Sequence, residues 1–147
     1  MQRVASAHVT TAGTEVARIG LGLLVLVGLA DGDGDPEIAW MAQKVAGLRV
    51  FSDLEGQMNL TLAEVGGSIL AVSQFTLLGD CRKGRRPSFA HALAPDAAAP
   101  LFADFVARLA VATGPVATGR FGQVMQVHLV NDGPVTLVID RTRHERT

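Results

Sequence analysis

The sequence holds a single cysteine, Cys81, among 147 residues, so an internal disulfide is excluded, and no Cys/His cluster has the spacing of zinc ligands. Nothing demands an oxidising compartment or a structural metal, and the cytosol is the expected setting. An excess of charge of either sign is missing too. Lys and Arg number 13 against 14 Asp and Glu, a formal net charge of -1. A protein that coats nucleic acid normally shows a strongly basic domain, so any RNA contact is expected to be local. The most apolar run, Leu21 to Leu29, is interrupted by glycines and falls far short of the roughly 20 residues of a membrane helix. The start, Met1-Gln2-Arg3-Val4, lacks the parts of a secretion signal. Neither export nor a membrane partner is expected.

Familiar catalytic machinery is equally sparse. The four histidines sit in unrelated contexts, His128 in an alternating strand and His144 in a charged tail, and suggest no Ser-His-Asp arrangement. Asp31, Asp33 and Asp35 have the spacing of a calcium loop. Pro36, however, stands where that loop needs glycine, and Ala42 where it needs a bidentate glutamate. No cofactor is expected. Cys81 has no base at a fixed sequence relation to it and reads as an ordinary thiol.

The residues that are present describe an ordinary globular chain, with 48% apolar and 18% charged residues, whose length suits one domain over 1–147. Residues 2 to 10 and 14 to 19 are short β-branched stretches that lead into Leu23-Leu24-Val25-Leu26-Val27, apolar on both faces, so a β-meander is expected first. A helix follows with Asp35 as N-cap and Pro36 at its first position, burying Ile38, Met41, Ala42, Val45 and Leu48. Met58-Asn59-Leu60 comes after a polar turn, and Ser68 to Thr76 forms a second strong strand. Asp80 to Pro87 is a loop. A second helix spans about Ala97 to Val111, with Pro100 disturbing its first turn, and stops at Gly114-Pro115. Two last strands, Met125 to Val130 and Val135 to Ile139, are joined by a tight turn at Asn131-Asp132-Gly133-Pro134. The predicted class is α+β, with a largely antiparallel sheet and two main helices.

Three stretches carry polar chemistry. Ser73-Gln74-Phe75-Thr76 puts hydroxyls and an amide at the end of a buried strand, where polar groups need partners. The bland alternative is that they only satisfy backbone groups there. Asn131-Asp132-Gly133-Pro134-Val135-Thr136 pairs a glycine that permits close approach with a proline that fixes φ, a pairing that most often marks only a turn. Arg82, Lys83, Arg85 and Arg86 are either a solvated loop or a grip on phosphate oxygens.

Together and in this order, Ser-Gln-Phe-Thr at 73–76 and Asn-Asp-Gly-Pro-Val-Thr at 131–136 resemble the two signatures of the D-aminoacyl-tRNA deacylase family. Gln2-Arg3-Val4, Arg49-Val50-Phe51-Ser52-Asp53, Arg86-Pro87-Ser88-Phe89, Gly119-Arg120-Phe121 and Met125-Gln126-Val127 extend the likeness over residues 2 to 140. Relatives usually carry a few apolar residues ahead of Gln-Arg-Val, so the first strand looks clipped, and the tail from Asp140 to Thr147 is longer and more charged than expected.

The resemblance implies a β-barrel-like sheet with helices and a homodimer in which a cis Gly133-Pro134 turn enters the partner's pocket. It implies hydrolysis of the ester between a D-amino acid and the 3′ end of tRNA, with L-amino acids rejected by shape and glycine accepted. Catalysis is expected from backbone groups near Phe75 and Thr76 and from the tRNA 2′-hydroxyl, with a Thr76 nucleophile ranked lower. Gln74 belongs to the same catalytic set. Ser73, Phe89, Phe121 and Met125 are expected to shape the pocket, Arg3 to brace the incoming turn, and the basic loop to meet tRNA phosphate. No DNA partner is expected. The rival from another class is a non-catalytic nucleic-acid-binding protein on the same fold.

Overall fold

The computed structural model describes residues 1–141; the charged tail beyond Arg141, His144 included, lies outside them. Strands β1 (Gln2–Thr11), β2 (Thr14–Ile19) and β3 (Gly22–Val27) come first. They do not form the expected meander. β2 and β3 lie end to end along one flank of β1 and keep one register, Ala7 opposite Ile19 and Val4 opposite Gly22. They amount to one long return strand broken at Gly20-Leu21. The other flank of β1 is taken by β8 (Gln126–Thr136).

Parallel pairing enters where the chain crosses over through helix α1 (Asp35–Gly47) and the small hairpin β4 (Phe51–Ser52) and β5 (Met58–Leu60) to reach β6 (Ser68–Ser73). β6 lies parallel to β3, and β7 (Val116–Thr118), reached through α2 (Pro95–Thr113), lies parallel to β6. The α+β class with two helices and a barrel-like sheet is therefore found, with a parallel minority in a largely antiparallel sheet. Crossovers through helices are the usual way to join parallel strands.

β3 and β6 are apolar on both faces because each separates two cores. Leu24, Leu70 and Val72 point inward with Val4, Ala7, Val9 and Ile19 of the curled sheet. Leu23, Val25, Ile69 and Ala71 point outward to Ile38, Ala42 and Val45 of α1 and to Phe102, Phe105 and Leu109 of α2. Two residues apart share a face.

Both helices begin earlier than expected. Gly34, not Asp35, caps α1: its N–H donates to Glu37 Oε2 at 3.0 Å, a capping-box contact in which glycine leaves room for the turn. Asp35 becomes the first helical residue and pairs with Arg108 of α2. Helix α2 starts at Pro95 and carries Pro100 inside it. The missing N–H of Pro100 costs one helical bond near the start, while Phe102, Phe105 and Leu109, all buried, hold the helix against the sheet. Gly114, at φ +90°, ends it as expected.

Gly22 marks the tightest approach between strands, since a Cβ there would lie 1.8 Å from the Ser68 carbonyl oxygen, whereas a Cβ at Gly20 would meet nothing within 4 Å. Gly22→Ala is expected to destabilise the fold by at least about 3 kcal/mol and Gly20→Ala to stay within about 0.5 kcal/mol of the parent in denaturant unfolding. Equal midpoints for the two variants would contradict this packing.

Candidate active site

The first signature sits where the parallel pair β3 and β6 ends. β6 stops at Ser73, shorter than the expected strand to Thr76, because Gln74 leaves extended geometry at φ −146°, ψ 78° and the chain turns into a short 3-10 turn, Phe75–Leu78. The Gln74 N–H closes the ladder by donating to Val27 O at 2.7 Å, and Gly79 N–H donates to Thr76 O at 3.0 Å. Phe75 and Thr76 open the turn, so their N–H groups have no acceptor within it. Two main-chain donors thus stand side by side at a strand end.

Beside this turn lies a cavity of about 660 Å³, within the usual range for small-molecule sites. Ser73, Gln74, Phe75, Phe89, Phe121 and Met125 all line it. Phe89 meets Phe75 edge-on, with ring centroids 5.1 Å apart, and would be struck at 3.0 Å by a Cβ on Gly79. The Met125 sulfur accepts the Arg120 N–H at 3.2 Å and sits where a side chain on Gly119 would go. Thr76 is exposed and is not among the lining residues. Its hydroxyl accepts a hydrogen bond from the Gln74 amide, and an amide N–H₂ cannot take a proton from it, so this pairing does not activate a nucleophile.

Part of the wall carried no signal in the sequence. Leu29, Ala92 to Pro95 and Ala98 close one side, where α2 begins. Alanines carry no chemistry to flag, and the stretch stands out only by its composition.

The basic segment is an exposed loop, pinched at its base by paired backbone bonds between Asp80 and Ser88 of 2.8 and 3.0 Å. Arg82 turns back onto Asp80, with Nη2 2.6 Å from Oδ2. These side-chain hydrogen bonds, helped by the Arg82 backbone N–H, hold the Asp80 carboxyl well below the usual carboxylate range. Lys83, Arg85 and Arg86 are exposed and have no ion-pair partner among the described residues.

The second signature is not the hairpin turn expected between two strands. β8 is one strand that pairs with β1 on both sides of the motif, Asn131 opposite Val4 and Thr136 opposite Gln2. Four residues, 132 to 135, therefore leave the ladder where β1 offers only Arg3. Turn composition is the same for a bulge of this size as for a hairpin. The Gly133-Pro134 bond is cis, as the resemblance implied, and Gly133 lies at φ +124°. A Cβ on Gly133 would meet Arg3 Nη2 and Val135 Cγ2 at 2.9 Å each, so this position needs glycine.

Arg3 is largely buried and holds the bulge of its own chain. Its Nε donates to Asp132 O at 3.1 Å, and its Nη1 donates to Val50 O at 2.8 Å. The expectation had Arg3 meeting the turn of a partner. Gly133 and Pro134 themselves are exposed and do not line the chain's own cavity.

Comparison with known proteins decides the family. The pattern that defines D-Tyr-tRNA(Tyr) deacylase matches residues 1–140. The chain belongs to that family. A D-aminoacyl-tRNA deacylase of Chloroflexus aurantiacus is 56% identical over 140 residues, spanning 95% of this chain and 88% of that protein. One of Desulfitobacterium hafniense is 55% identical over 144 residues, 98% and 97% of the two chains. Among solved structures, a c-Myc DNA unwinding element binding protein superposes with a TM-score of 0.91 at 37% identity, covering 96% of each chain. A probable eukaryotic D-amino acid tRNA deacylase shares the fold, with a TM-score of 0.78 at 20% identity over 90% and 92% of the chains.

Proposed function

We propose that this protein hydrolyses the ester bond between a D-amino acid and the terminal ribose of tRNA, acting as a homodimer in the cytosol and releasing free tRNA and the D-amino acid. The observation that carries the reading is the Gly133-Pro134 bulge: it is pinned from below by Arg3, yet exposed and absent from its own cavity. A rigid bend with nothing to do in its own chain fits a role in the pocket of a second copy. There the carbonyls of Gly133 and Pro134 accept the substrate's α-amino N–H groups and occupy the side on which an L side chain would project. Exclusion by clash is steeper than the ~1–3 kcal/mol a missing methylene supplies. Glycine has no side chain to exclude, so glycyl-tRNA is a substrate as well.

The chemistry needs no triad. Water adds to the ester carbonyl, the N–H groups of Phe75 and Thr76 stabilise the oxyanion, and the bond to the ribose oxygen breaks as that oxygen takes up a proton. Preorganised donors of this kind often give the largest single contribution to acyl transfer. The neighbouring ribose 2′-hydroxyl assists the reaction. Ser73 and Gln74 hold the terminal nucleoside, Phe75, Phe89, Phe121 and Met125 pack around it, and Lys83, Arg85 and Arg86 meet tRNA phosphates, with Arg82 committed to Asp80.

One observation favours a second reading, that of a non-catalytic nucleic-acid binder: the 37%-identical neighbour is described by DNA binding. A binder has no use for the pinned bulge, and activity separates the two readings. Purified protein is expected to deacylate D-Tyr-tRNA and spare L-Tyr-tRNA. Gly133→Phe lowers kcat/KM by about 10²-fold or more, whereas Thr76→Ala costs less than about tenfold, far below the 10⁴-fold or more typical of a lost nucleophile. Inertness toward both substrates contradicts the enzyme, and the reverse ranking of the variants restores a threonine nucleophile. For the loop, changing Lys83, Arg85 and Arg86 together to Gln is expected to flatten the dependence of log binding constant on log salt by about 0.7–0.9 for each phosphate the loop no longer neutralises. An unchanged slope removes the loop from the RNA interface.

A further inference from the structure

Asn131 has no role in the reading above, yet its side chain spans the neck of the excursion that carries Gly133-Pro134. Its Oδ1 accepts the Val135 N–H at 3.0 Å, and its Nδ2 donates to Thr136 Oγ1 at 2.9 Å. Because Val135 N–H can only donate, the atom facing it must be the amide oxygen, which turns the NH₂ toward the Thr136 hydroxyl. Asn131 is still in register with Val4, and Thr136 is again in register with Gln2. One side chain therefore joins the last paired residue before the excursion to the first paired residue after it.

The Gly133-Pro134 peptide is pinned on both flanks. On the entry side Arg3 donates to the carbonyl of Asp132. On the exit side Asn131 accepts the N–H of Val135. The ladder with β1 cannot supply either bond, since residues 132 to 135 have left it. Without the Asn131 link, the exit side would be held by the return of the strand at Thr136, whose hydroxyl also accepts the Gln2 side-chain N–H at 3.3 Å.

We infer that Asn131 is a positioning residue for chiral discrimination: it fixes where the Gly133 and Pro134 carbonyls stand and so sets how strictly an L-amino acid is refused. The inference rests on the proposed cross-subunit role of the bend. Recognition constellations work when held within about 0.5 Å, and a misplacement of about 1 Å can change a rate by about 10²-fold. A loosened bend admits an L side chain. The D-amino acid, whose side chain projects away from the bend, loses less.

The test uses full-length Asn131→Ala and Asn131→Asp with D-Tyr-tRNA and L-Tyr-tRNA, and thermal unfolding alongside. Aspartate keeps an acceptor for Val135 N–H and can accept the Thr136 hydroxyl proton at the far end. Expected is a fall of at least tenfold in the D-over-L ratio of kcat/KM for the alanine variant, chiefly through a gain on L-Tyr-tRNA, with most of the ratio restored by aspartate. An unchanged ratio, or equal losses on both substrates, overturns the inference. Should the alanine variant fail to fold, Thr136→Val removes the far end of the link at nearly constant shape, with Gln2→Ala as the control for the Gln2 Nε2 bond that the same hydroxyl accepts at 3.3 Å; the ratio is expected to fall at least threefold in Thr136→Val and to hold in Gln2→Ala, and no fall in the first or an equal fall in the second overturns the inference. Gly133→Phe separates the two claims. Full activity there sinks the bend's role altogether, while inactivity there with an unchanged ratio in Asn131→Ala sinks the Asn131 inference alone.

Discussion

Both halves of β8 hydrogen-bond to the same strand, β1, and that shared pairing forces the four residues between them out of the sheet. Everything particular to this protein depends on how that excess chain is held. Left free, such a segment would sample many conformations at a cost of about 1–2 kcal/mol per residue to order. Here the Arg3 guanidinium fills the gap beneath it and Asn131 closes its neck. The outcome is a bend with its carbonyls fixed and its surface open.

The cavity is built on a different principle. Parallel strands β3 and β6 deliver the chain to Gln74, where the last ladder bond from Gln74 N–H to Val27 O coincides with the start of a 3-10 turn. That change of geometry leaves the Phe75 and Thr76 N–H groups without an acceptor inside the turn, beside a cavity walled largely by apolar side chains. On the proposed reading, binding and reactivity are thus separated: donors at 75 and 76 act on the ester, and the bend of another copy judges handedness. On that reading, the chain needs no nucleophile and base of its own. The same division explains why the polar signatures lie more than fifty residues apart in a chain that carries little other site chemistry.

Much of this was legible in the residues. Strands apolar on both faces announced a sheet buried on two sides, and the two cores around Leu23 and Leu24 bear that out. Helix positions followed from the spacing of Ile38, Ala42 and Val45 and of Phe102, Phe105 and Leu109. What local pattern could not carry was anything fixed by distant partners. The return strand broken at Gly20-Leu21, the parallel pairing of β3 with β6 and the bulge in place of a hairpin all depend on which strand lies alongside. The cis bond was implied by family resemblance rather than by the residues themselves. Asn131 stood out only as part of the signature, because the neck that it closes with Val135 and Thr136 shows only once β8 is seen to leave β1 and rejoin it. The alanines of the wall, Ala92, Ala94 and Ala98, escaped notice because alanine lines a cavity only by being small.

The central claim is that the bend of one chain completes the pocket of another, and subunit mixing addresses it most directly. Gly133→Phe spoils the bend and leaves the pocket; Ser73→Trp fills the pocket and leaves the bend. Each variant alone is expected to be inactive toward D-Tyr-tRNA. Unfolded and refolded together in equal amounts, they should recover roughly a quarter of the parental activity, since random pairing makes half the dimers mixed and each mixed dimer owns one intact composite site. A mixture as inactive as its components would contradict the account.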